Sequence, residues 1–166
     1  MNNEFWGRED ELKTLQRLRE KRVSSLVVIR GRRRIGKSRL VEEFAKEKRF
    51  ISFTGIPPEK KTTAKKQREE FSIQFERQLG PCVKPDDWGN LFYFLSKQIN
   101  ENERTVIFFD EITWMGSKDP VFLGKLKIAW DLSFLPPLKN KLLKNICETI
   151  AIIPTKTATI VMYFIS

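Results

Sequence analysis

The chain has 166 residues, 40% of them hydrophobic and 31% charged, a balance expected of one soluble folded domain. Its 31 Lys and Arg against 21 Asp and Glu leave a net charge of +10, which favours anionic partners: nucleotides, nucleic acid or an acidic membrane surface. There is no histidine, so imidazole general bases, His-containing triads and His-ligated zinc are excluded.

Residues 8 to 22 place Leu12, Leu15 and Leu18 on one face among charges, which predicts an amphipathic helix. SSLVVIRG follows, an apolar, β-branched run closed by glycine, and predicts a buried strand. After a glycine-bounded turn, Leu40, Val41, Phe44 and Ala45 return to helical spacing. RFISFTG predicts a second short strand. IPPEKKTTAKKQREE is polar and carries prolines, so it reads as a loop leading into a helix with Phe71, Phe75 and Leu79. Asp86 or Asp87 can cap a further helix striped by Trp88, Leu91, Leu95 and Ile99. RTVIFFDE predicts a third buried strand that stops at two carboxylates. Asp119 and Pro120 then open a helix with Phe122, Leu123, Leu126 and Trp130.

Strand alternating with helix predicts an α/β domain with a parallel sheet. The aromatic stripes read as core. Beyond Asp131 the pattern weakens. LSFLPPLKNKLLKNICETIAIIPTKTATIVMYFIS holds two adjacent prolines, a Lys/Asn-rich patch and no clean apolar period until its last ten residues. Cys82 and Cys147 form no CxxC motif, which suits a reducing cytoplasm. The opening MNNEFWGRED lacks a basic-then-apolar signal, and ATIVMYFIS is too short to span a bilayer. A cytoplasmic location and no membrane partner are expected.

The run from Gly31 to Ser38, GRRRIGKS, fits G-x-x-x-x-G-K-[ST] completely. Gly31 and Gly36 allow backbone conformations and a close approach that a Cβ would block. The amides across Arg32, Arg33, Arg34 and Ile35 can point inward as a nest for phosphates, and the next helix adds its positive end through Arg39. Lys37 is placed to reach the β- and γ-phosphates, where it also serves catalysis, and Ser38 to ligate Mg²⁺. The three arginines either strengthen the field around the phosphates or face water and keep the loop soluble. A motif this short occurs by chance, but here it follows a predicted strand and precedes a predicted helix, which is its confirming context. The second half of the site is TVIFFDEI. Asp110 falls at the carboxyl end of a buried strand, where open α/β sheets bind ligands, and would hold the Mg²⁺. Glu111 would orient or deprotonate the attacking water.

FWGREDEL (Phe5 to Leu12), GRRRIGKS and FFDEITWM together resemble AAA+-type P-loop ATPases of the archaeal and bacterial ATPase group, relatives of the signal-transduction ATPases with numerous domains. The resemblance covers roughly residues 4 to 131. It implies a three-layer P-loop NTPase sandwich with a parallel sheet in the order 5-1-4-3-2. It also implies ATP, Mg²⁺, hydrolysis coupled to a conformational change, and Trp6, Gly7 and Arg8 beside the adenine.

The chain then departs from the family. Where strand 4 should end in a small polar sensor turn, the sequence reads NICETIAIIP. Strand 5, the arginine finger, the helical lid and the winged-helix region have no counterpart. Family strand 4 separates strands 1 and 3, so its loss leaves a gap of unpaired backbone, which is costly. TATIVMYFI (Thr157 to Ile165) is apolar and β-branched enough to fill that gap. The expectation is therefore an AAA+ ATP-binding domain over residues 1–131, incomplete at its C-terminus. Residues 132–166 are then a divergent tail that a shifted reading frame would explain. The functional expectation is ATP binding with hydrolysis weak or lost. The alternatives are a basic nucleic-acid-binding module and an ATPase fragment without function. A small-molecule kinase is disfavoured by the Asp110–Glu111 pair and the opening G-R-E.

Overall fold

The structure, a computed structural model, describes residues 7–18, 24–32, 34–82, 84, 86–99, 103–134, 149–152 and 158–164. Helix α1 (Glu9–Arg17) carries Glu9, Asp10 and Glu11 in its first turn and Arg17 in its last, charges that interact favourably with the helix dipole at both ends. It buries Leu15 and Leu18. Strand β1 (Ser25–Arg30) leads through the glycine turn into α2 (Lys37–Ala45). Strand β2 (Arg49–Thr54) is followed by α3 (Ala64–Leu79), whose N-cap hydroxyl, Thr63 Oγ1, accepts from Lys66 N. Helix α4 (Trp88–Ser96) is capped by Asp87, whose Oδ2 accepts from Asn90 N at 3.2 Å. Strand β3 (Thr105–Asp110) runs into the short α5 (Ile112–Met115). Helix α6 (Phe122–Ala129) starts two residues later than Pro120 implies, and Asp119 Oδ1 accepts from Val121 N rather than from the helix itself. It continues into a π-helical turn, Trp130–Phe134. Of its expected stripe, Leu123 is turned outward, 65% exposed, while Phe122 and Leu126 are buried. Strands β4 (Thr149–Ile152) and β5 (Ala158–Phe164) come from the stretch expected to diverge.

The five strands lie in the order β2-β3-β5-β1-β4. β2 pairs with β3 in parallel, and so does β1 with β4. β5 sits between β1 and β3, antiparallel to both. Thus the apolar C-terminal run takes the place between β1 and β3, as its composition predicts. The expectation of an all-parallel sheet in the order 5-1-4-3-2 is corrected: the sheet is mixed, and its central strand is reversed. Connection length supplies the reason. Ile152 and Ala158 flank the carboxyl end of β1, and the five residues between them are too few for a parallel crossover, which takes a dozen or more.

Side chains of β3 alternate between two cores. Val106 and Phe108 join Leu15, Val27, Leu40 and Phe44 under α1 and α2. Ile107 and Phe109 join Phe53, Phe71, Trp88 and Phe92 under α3, α4 and α6. Helices therefore cover both faces of the sheet. The second core is aromatic. Phe71 stacks on Phe53 with centroids 4.1 Å apart and meets Trp88 edge-on at 5.5 Å. Trp88 meets Phe122 edge-on at 4.8 Å. Each such pair adds about 0.5–1.5 kcal/mol beyond the area it buries.

The outer edge of β2 is closed by glutamines of α3. Gln78 accepts from Ser52 N and donates to Ser52 O, at 3.0 and 2.8 Å. Gln74 does the same for Thr54, and Gln67 for Ile56, just past the strand. A side-chain amide presents a donor and an acceptor together, as a strand residue does, so three amides satisfy alternate residues of an edge that would otherwise stay open.

Candidate functional site

β1, β2 and β3 point the same way, so their carboxyl ends form one edge of the sheet. The Gly31–Ser38 turn and the Asp110–Glu111 pair lie there. Gly36 has φ +83°, a left-handed conformation that glycine adopts without strain, and it turns the chain into α2. Arg34 also has positive φ. No side chain caps the first turn of α2.

Lys37 is 5% exposed, and its Nζ reaches back into the turn to donate to Gly31 O at 3.1 Å and Arg32 O at 3.0 Å. The loop thus closes around its own ammonium group. Arg32, Arg34 and Ile35 lie outward, and Arg39 is exposed and pairs with Glu42 at 3.7 Å. Arg32 and Arg34 therefore fit the solvent-facing reading of the arginines.

Ser38 Oγ donates to Asp110 Oδ2 at 2.9 Å. That bond joins the glycine turn to the end of β3, although β5 lies between the two strands. Asp110 Oδ1 accepts from Glu111 N at 3.0 Å. Glu111 is 8% exposed, with φ 49° and ψ 45°. A left-handed conformation costs a non-glycine residue about 1–2 kcal/mol, and such strain collects where a side chain must be aimed. Ser38 and Asp110 are thus in contact, with Lys37 and Glu111 next to them in the chain.

Gly7 and Arg8 lead into α1, which packs on α2, and both have left-handed backbone, at φ 82° and 58°. Trp6 and Arg33 lie outside the described residues. A cleft of about 480 Å³ has Val28, Arg30, Ile112, Thr113 and Phe122 in its walls, and none of the described glycine-turn residues or the Asp110–Glu111 pair.

Two residues missed by the motif reading hold the Glu111 turn. Gly55 N donates to Asp110 O at 3.2 Å. A Cβ on Gly55 would lie 2.8 Å from Glu111 O and 2.9 Å from Met115 N, both backbone atoms, so only glycine fits there. Gln67, 2% exposed, donates from Nε2 to Ile56 O at 2.8 Å and to Trp114 O at 2.9 Å. Its signal was present in the sequence: Gln67 precedes Phe71 and Phe75 at four-residue spacing, on the buried face of α3.

Among the described residues no helix is long and apolar enough to cross a membrane. No protein-family model, no curated protein and no solved structure matches the chain, so the site's own geometry is what a functional reading can be built on.

Proposed function

We propose that the chain binds Mg-ATP through the Gly31–Ser38 turn and the Asp110–Glu111 pair, as a P-loop protein of the AAA+ ATPase type with weak turnover. The observation that supports this reading best is the Ser38–Asp110 hydrogen bond, which sets the two halves of the motif against each other across the sheet. The buried ammonium of Lys37 supports it too. Its two carbonyl partners would be exchanged for phosphate oxygens, which add an opposite charge to hydrogen bonds the ammonium already makes.

The donor set fits magnesium. Among the described residues no three His, Cys, Asp or Glu side chains cluster as a metal site of their own. A cation would rest on Ser38 and Asp110, with phosphate oxygens and water completing its shell, which is how magnesium is usually held. When bound, magnesium neutralises charge on the phosphate oxygens. Lys37 would bind and orient the phosphate chain from inside the loop. Glu111 would accept the proton of the attacking water. The weak turnover in this reading rests on residues 105–166, which contain no arginine to act as an arginine finger, a group worth on the order of 10³ or more in rate in GTPases.

The test is thermal unfolding of the 166-residue chain with and without Mg-ATP. Ligand at about a hundred times its Kd stabilises by roughly 2.7 kcal/mol, a rise of about 5–11 °C for a domain of this size. The rise is expected in the wild type and not in Lys37→Ala, each against its own ligand-free melt. No rise in the wild type at millimolar Mg-ATP overturns the proposal.

A further inference from the structure

The corner of the molecule after β2 carries a concentration of charge that the nucleotide reading does not use. From Ile56 to Arg68 the chain holds Lys60, Lys61, Lys65, Lys66 and Arg68 against one acid, Glu59. All four lysines are exposed. Among the described residues, only Lys65 of the four makes an ion pair, a loose one with Glu69 at 3.7 Å with both side chains largely in water. Arg68 is different: it is spent on Asp119, 3.2 Å away and mostly buried.

Stability does not account for this placement. The first turn of α3 contains no acid and instead carries Lys65 and Lys66, at the positive end of a 16-residue helix. Cations there oppose the helix dipole. Lys60 and Lys61 sit next to that end and add like-charge repulsion. Such an arrangement is relieved by an anion.

The backbone that presents the lysines is already ordered. Thr62, 9% exposed, donates from Oγ1 to Pro57 O at 2.9 Å and accepts from Glu59 N at 3.2 Å. Its own amide donates to Glu59 O at 3.1 Å. Thr63 caps the helix, and Gln67 anchors the base of the loop to Ile56 and Trp114. A rigid loop loses little entropy on binding. The spread of four charges over a turn and a helix start fits a repeating phosphate backbone better than a single small anion. The segment lacks the Trp, Phe or Leu that an interfacial membrane contact inserts; its exposed apolar residues are Pro57 and Pro58.

We propose that Lys60, Lys61, Lys65 and Lys66 form a docking surface for the phosphate backbone of a nucleic acid, bound without regard to base sequence. The proposal does not depend on the ATP reading.

Fluorescence anisotropy with a labelled 20-base-pair DNA duplex, over about 50–200 mM salt, tests it. Two variants with the same change in net charge are compared. One replaces Lys60, Lys61, Lys65 and Lys66 with Gln. The other replaces Lys13, Lys46, Lys97 and Lys127, which stand on other elements. The wild type is expected to bind with a steep salt dependence. The first variant should bind at least about tenfold more weakly at 100 mM salt, with a slope of log K against log salt shallower by about 3–4, near 0.9 per lost phosphate contact. The second should bind like the wild type. Equal losses in the two variants would mean that net charge alone drives binding, and would overturn the proposal. So would unchanged binding in the first variant, no wild-type binding at 50 mM salt, or binding to phosphatidylserine vesicles without binding to the duplex. Matching melting temperatures verify that all three proteins are folded.

Discussion

Replacing Gln67 with Met probes how the Glu111 turn is held. Met has nearly the same length and bulk, so the packing under α3 is kept and only hydrogen bonds are lost. Three are lost: Ile56 N to Oε1 at 2.9 Å, Nε2 to Ile56 O at 2.8 Å, and Nε2 to Trp114 O at 2.9 Å. They do not count equally. Trp114 O also accepts from Ser117 N and Ser117 Oγ, so it keeps partners. Ile56 N and O lose their amide partner together. An unsatisfied buried group costs about 1–3 kcal/mol, but Ile56 is only half-buried and water can recover part of that. The expected loss is about 2–3 kcal/mol, or roughly 4–12 °C in Tm at this size. Urea unfolding followed by tryptophan fluorescence measures it directly, provided the transition is two-state. Gln67→Glu should cost at least as much: it keeps the acceptor for Ile56 N but buries a carboxylate against the Ile56 and Trp114 carbonyls. If the chain hydrolyses ATP, Gln67→Met should lower kcat with little change in KM, because Glu111 is displaced while the phosphate loop is untouched. A loss below about 0.5 kcal/mol, within the range of ordinary surface substitutions, would refute the reasoning.

Other outcomes can be stated more briefly. Glu111→Gln should lower any residual turnover while leaving ATP-dependent stabilisation intact; equal loss of both, measured side by side, would count against the proton-accepting role. Phe71→Ala removes the ring that touches Phe53, Trp88, Phe92 and Phe109, and should cost about 3–5 kcal/mol in chemical denaturation. Val161→Pro removes a donor from β5 where Val27 and Phe108 flank it, and should abolish the cooperative melt; an intact melt would mean that β1 and β3 do not need β5 between them.

Much of this was legible in the sequence. β3 stands out because a strand buried on both faces must be apolar between its ends, and Val106–Phe109 is; β1 and β2 show as shorter apolar, β-branched or aromatic runs closed by glycine. The glycine turn is legible because its residue types are fixed by backbone geometry at known spacing. Strand direction in the C-terminal region was not. Composition shows that Ala158–Phe164 belongs in a sheet, but an apolar run reads the same in either direction, and only the short link from β4 decides it. The glutamines of α3 were also missed, since a polar residue on a helix ordinarily faces water. The left-handed Glu111 left no mark either, because nothing but context forces a glutamate into that conformation. Gly55 was read only as the end of a strand, whereas the close approach of the Glu111 turn is what requires it.

The position of β5 also sets an order of events. β2, α3, α4 and β3 are consecutive in the chain and can pack on one another as a local unit. β1 meets β3 only through β5, which pairs Ser25 with Tyr163 and Thr105 with Phe164. Contacts between such distant residues close slowly, because the loop entropy must be overcome before any pairing is gained. At about 5–20 residues per second, a ribosome takes roughly 3–11 s to pass from the end of β3 to the end of β5. During that interval the facing edges of β1 and β3 are both open. The site at their carboxyl ends is therefore among the last features to form, and the nascent chain presents two unpaired apolar strands to whatever chaperone or neighbour meets it first.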